Sequence, residues 1–93
     1  MRYIESDVKF SFIIKGVETI TEHNIITKIV TVETEIKSLD HEPIFHGPLR
    51  VKSNKFGIFP IPSDLSAAVS QASIQQKLAV ELKRFIRPAK RFL

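Results

Sequence analysis

Three histidines and a few carboxylates are the residues of this chain suited to proton transfer or metal binding, and their tightest grouping is Asp40-His41-Glu42 followed by His46. Imidazole nitrogens and carboxylate oxygens ligate divalent ions, so His41 and His46 are the metal candidates. Neither H-E-x-x-H spacing nor a helical frame holds them, and a solvated polar loop accounts for the same residues. His23 stands apart. Catalysis needs a nucleophile beside a base or two positioned carboxylates, and no motif supplies either. The chain has no Cys, which excludes disulfides, a thiolate metal site and a cysteine nucleophile. Its three glycines, Gly16, Gly47 and Gly57, are isolated, so neither a dinucleotide fingerprint nor a phosphate-cradling loop is present. G-x-S-x-G is absent as well. The reading is a non-catalytic protein with no cofactor and no small-molecule substrate.

The other constellation is electrostatic. The formal net charge is +4, yet residues 1–46 carry 5 basic and 8 acidic side chains, and residues 47–93 carry 9 and 2. Lys83-Arg84-Phe85-Ile86 is echoed by Lys90-Arg91-Phe92-Leu93 at a spacing of seven. If a helix resumes after Pro88, Phe85 and Phe92 share one face and the basic pairs a neighbouring one. Lys83, Arg84, Arg87, Lys90, Arg91 and Phe92 are therefore the candidate partner- or phosphate-binding residues. They suit a nucleic-acid backbone or an acidic protein groove, and an anionic membrane surface less well. Solvated charges around a core Phe85 give the same pattern. Phe56-Gly57-Ile58-Phe59 matches the RNA-recognition aromatic signature only in composition, and Pro60 follows it.

Elements that position these residues follow from periodicity. Ninety-three residues make one domain, 1–93, and 33 of them are Leu, Ile, Val or Phe, enough apolar surface to fold. Tyr3 to Lys15 alternates, with Ile4, Val8, Phe10, Phe12 and Ile14 on one face, which predicts a half-buried strand closed by a turn at Gly16. Between Val17 and Lys37 helical and strand periods compete. Thirteen of those 21 residues are Val, Ile or Thr, whose branched side chains favour a pleated sheet, so strands are expected with a break or bulge near His23-Asn24. A helix over Val17 to Lys37 is the alternative fold.

Ser38 to Pro43 reads as a loop, and Gly47-Pro48 argues against a central strand there, leaving Ile44 to His46 short. Leu49 to Lys52 and Phe56 to Ile61 form a hairpin around Ser53-Asn54-Lys55. Phe45, Phe56 and Phe59 are expected in the core, with an exposed binding patch as the alternative. Ser63 is the expected N-cap of one amphipathic helix running to about Arg87, where Pro88 ends or kinks it, with residues 88–93 a basic tail. The expected fold is thus α+β: an antiparallel β-meander of three to five strands over residues 1–62, with one long C-terminal helix, 63–87, packed on its apolar face.

No apolar run approaches the length of a membrane span, and Met1 to Glu5 does not start a signal peptide, so a soluble cytoplasmic protein is expected. A chain this small, with long strands whose edges are open, is expected to be a protein-protein interaction module or accessory subunit that acts as a homo-oligomer. Nucleic-acid backbone binding through the basic C terminus is the alternative.

Overall fold

A computed structural model of the chain describes residues 8–93. Four antiparallel strands form a meander in the order β1-β2-β3-β4: β1 Val8–Glu22, β2 Ile25–Ser38, β3 Pro43–Asn54 and β4 Gly57–Pro60. Helices α1 (Pro62–Ala68) and α2 (Ala72–Ile86) follow, and a 3-10 helix over Arg87–Phe92 ends the described chain. The fold is α+β, with α2 packed on the sheet. Its extents are 45 × 21 × 18 Å, the long axis reflecting the β1–β2 hairpin.

Val17 to Lys37 is strand. His23 and Asn24 take φ of 50° and 66°, and Glu22 pairs with Ile25 across them, which is the two-residue turn whose twist matches that of the flanking strands. The helical alternative for this segment is excluded. The expected strand from Tyr3 begins outside the described residues, and its end at Gly16 is corrected: β1 runs through Gly16. The pairing slips there, from Ile14 opposite Val32 to Gly16 opposite Thr31, so Lys15 is the extra residue of a bulge. The slip seats Val17 opposite Val30 and keeps the alternation in phase.

A second correction concerns β3, which runs through Gly47 and Pro48. β4 reaches back only to Val51, opposite Pro60, so residues 43–49 have β2 on one flank and nothing of the sheet on the other. Proline is tolerated where its nitrogen can face an open flank. Gly47 is a seat for Phe45: a Cβ there would meet the Phe45 ring at 3.0 Å. The β3–β4 turn falls at Lys55-Phe56, later than expected. Asn54 Oδ1 accepts the Phe56 amide at 2.8 Å, and Gly57 follows at φ +146°, a conformation L side chains rarely adopt.

The long C-terminal helix begins later than expected, at Ala72. Ile61, not Ser63, caps α1, with Pro62 in its first turn and no side-chain cap, and Val69 is extended, with φ −141° and ψ 141°. The reason is phase. Leu65 and Val69 are buried on α1, and Ile74, Leu78, Leu82 and Ile86 on α2. On one continuous helix Leu65 and Ile74 would sit about 180° apart and only one could face the sheet. Breaking at 69–71 rephases the second stripe, and the Gln75 side-chain amide donates to the freed Val69 carbonyl at 2.7 Å.

The core lies between these helices and one sheet face. Val30, Val32 and Ile36 of β2 meet Leu49 and Val51 of β3, beneath Leu78, Leu82 and Ile86. Phe10, Phe12 and Ile14 flank them on β1, with the Phe12 and Phe85 rings 5.3 Å apart. Thr34, buried among them, donates its hydroxyl to the Val32 carbonyl at 3.1 Å.

Candidate interaction surfaces

At the C terminus the structure assembles most of the basic residues singled out above. Lys83 and Arg84 occupy the last turn of α2, where cations favour the negative end of the helix dipole. Arg87, Pro88, Lys90 and Arg91 then line one shallow concavity on the 3-10 helix. Arg84 is committed elsewhere: its guanidinium donates to Glu81 at 3.1 Å, which also holds Lys77 at 3.1 Å. Lys83, Arg87, Lys90 and Arg91 have no ion pair among the described residues. The expectation that Phe85 and Phe92 share a face is corrected. Phe85 packs on the core, whereas Phe92 is 77% exposed, with the Arg91 guanidinium 4.9 Å from its ring centre. The 3-10 winding after Ile86 rotates Phe92 away from the face an α-helix would have continued.

The histidine cluster is dispersed. His41 lies in the β2–β3 connection at φ 65°, and His46 lies on β3, its Nε2 3.1 Å from a Glu33 carboxylate oxygen across the ladder. No group of three or more His, Asp or Glu side chains converges as a metal site among the described residues. The expected core positions for Phe56 and Phe59 are also corrected. Phe56 is exposed at the β3–β4 turn, under the Lys55 ammonium, and Phe59 is exposed on β4 opposite Lys52. Phe45 does pack on the core.

β1 is the long open edge. Among the described residues it pairs with β2 alone, leaving the other flank of a 15-residue strand without a neighbour in the sheet. Two of its apolar side chains, Ile13 and Val17, are exposed. Its charges are segregated, with Lys9 in the first half, Lys15 at the midpoint, and Glu18 and Glu22 in the second half, Glu22 being paired with Lys52 at 2.9 Å. Proline, charged side chains and bulges are the usual defences of an edge, and this strand carries a bulge at Lys15 and charges at Lys9, Lys15, Glu18 and Glu22 but no proline. β4, the opposite edge, has four residues and ends in Pro60.

One contact had no signal in the sequence. Arg50 on β3 grips Asp64 on α1 through Nε to Oδ2 at 2.9 Å and Nη2 to Oδ1 at 2.8 Å, and its backbone amide donates to Oδ2 at 3.0 Å. The amide lies just past the end of β4, so Asp64 takes the place of a missing strand neighbour. The Arg50 hydrogen bond holds the Asp64 carboxyl below its ordinary value, against the opposing effect of burial. A partner fourteen positions away on another element leaves no local pattern. No protein-family model, curated protein or solved structure matches this chain.

Proposed function

We propose that this chain is a non-catalytic protein-interaction module that works as a homo-oligomer, pairing copies through the β1 edge. The observation that carries the reading is the unpartnered flank of β1. A strand of this length spans about 50 Å and presents a row of backbone donors and acceptors that a second strand satisfies. Antiparallel pairing about a two-fold axis between Lys15 and Gly16 sets Lys9 of one copy opposite Glu22 of the other, a carboxylate that also holds Lys52 of its own chain at 2.9 Å, and leaves Lys15 diagonal to Glu18. Ile13 and Val17 then lose water at the same seam, which adds apolar burial to the ladder.

Sedimentation equilibrium at high micromolar concentration tests this. The wild type is expected to dimerise, and Ile13→Lys with Val17→Lys to shift it to monomer. Lys9→Glu with Lys15→Glu is expected to weaken the dimer, and adding Glu18→Lys with Glu22→Lys to restore it. A monomeric wild type, or a dimer indifferent to Lys9→Glu with Lys15→Glu, would overturn the β1 reading.

A further inference from the structure

We infer that the C-terminal end of this chain is a binding surface for single-stranded nucleic acid, in which Lys83, Arg87, Lys90 and Arg91 hold consecutive phosphates and Phe92 stacks on a base. Two independent features of the surface converge on this chemistry. The first is a row of cations. Four residues along an α-helix and three along a 3-10 helix each advance about 6 Å, and residues three apart on a 3-10 helix eclipse one another. Lys83, Arg87 and Lys90 therefore form a line of charges at near-constant spacing, with Arg91 beside it across the shared concavity. That spacing is close to the separation of successive phosphates on one nucleic-acid strand. None of the four is neutralised by an acidic neighbour among the described residues, so each is available to displace a counterion.

The second feature is the ring. Phe92 is 77% exposed, with the Arg91 guanidinium against its ring at 4.9 Å from the centre, while the neighbouring Leu93 packs on the core and holds the backbone there. Every base offers a face to stack on, so one exposed ring beside a cation row binds single strands without reading sequence. Duplex DNA keeps its bases inside and would use the cations alone. A membrane surface is disfavoured because an interfacial helix needs a free apolar face, and the apolar stripe of α2, Ile74 to Ile86, is buried on the sheet. The inference does not depend on β1 pairing, since the platform lies on α2 and the 3-10 helix.

Fluorescence anisotropy with a labelled oligodeoxythymidine of about 15 residues tests it. Binding is expected at about 50 mM salt, with log K falling against log salt at a slope near −3 for four phosphates on a single strand. Arg87, Lys90 and Arg91 all changed to Gln should abolish it, while Lys28, Lys37 and Lys55 changed to Gln leave it intact. Phe92→Ala should weaken oligonucleotide binding about 5- to 100-fold and leave inorganic polyphosphate binding unchanged. Circular dichroism melts of each variant separate loss of binding from loss of fold. No binding by the wild type at low salt overturns the proposal, as does equal loss in the two lysine and arginine triples. Phe92→Ala without effect would reduce the surface to a polyanion site and overturn the single-strand assignment. Binding to vesicles of equal phosphatidylcholine and phosphatidylserine, with none to the oligonucleotide, would assign the surface to membranes instead.

Discussion

β1 and β2 are the two arms of one hairpin, 15 and 14 residues long and both rich in branched side chains, yet they are buried to very different degrees. On β2, Val30, Val32, Thr34 and Ile36 are each 0% exposed, while on β1 Val8 alone is buried and Phe10, Phe12 and Ile14 are partly so. Both arms alternate apolar and polar residues. What separates them is neighbours: β2 has a strand on each flank and helices above, and β1 has one strand and an open edge. Alternation reports which face a side chain is on, and the tertiary arrangement decides how much water that face loses.

This contrast breaks most sharply when a charge is placed on each arm. Val32→Asp should prevent folding or cost more than about 4 kcal/mol, because the carboxylate has no partner in the core, whereas Val17→Asp on the exposed part of β1 should stay within about 0.5 kcal/mol when both chains are compared as dissociated monomers. Urea denaturation of the two variants measures the difference, and equal losses would refute the account. In the helical layer Leu82→Ala, from a fully buried position on α2, should cost about 2–5 kcal/mol through the cavity it leaves. Phe12→Leu at the rim should cost less, about 0.5–1.5 kcal/mol, chiefly the lost ring contact with Phe85. Thermal melts order these effects.

A smaller effect sharpens the comparison between α2, held by four buried side chains, and α1, held by Leu65 and the Arg50–Asp64 pair. The depressed Asp64 carboxyl contributes stability that is fully present above its ordinary value of 3.8 and is lost as pH falls through its lower folded value. Asp64→Asn should therefore lower the melting temperature near neutral pH by a few degrees at most, and the gap from wild type should close below about pH 4. A gap that persists in acid would assign the contact a role independent of charge. The smallest effect is expected at the bulge. Gly16 has negative φ and open space where a Cβ would stand, so Gly16→Ala should be neutral or slightly stabilising, by up to about 1 kcal/mol. A large loss there would show that the bulge requires glycine.

The chemistry-bearing residues were legible to different extents. Lys83, Arg84, Arg87, Lys90 and Arg91 stand out as a run, and a run on a helix stays together when folded. His41 and His46 are close in sequence, but a turn and a ladder send them apart, and His46 meets Glu33 across β2 instead. Arg50 and Asp64 are ordinary residues until β3 and α1 bring them into register.

By itself the sequence determined the α+β class, the strand character of Val17 to Lys37, an interruption near His23-Asn24 and the inward face of Val8, Phe10, Phe12 and Ile14. These follow from side-chain branching, period-two patterning and local backbone preference, which act between near neighbours. Tertiary structure alone decided that Gly16 sits in a bulge, that Pro48 fits inside β3, that the helical segment breaks at 69–71 and that Phe92 turns outward. In each case local propensity allowed more than one outcome. The choice fell to long-range terms: register against β2, the short reach of β4, and the need to bury Leu65 and Leu78 on the same sheet.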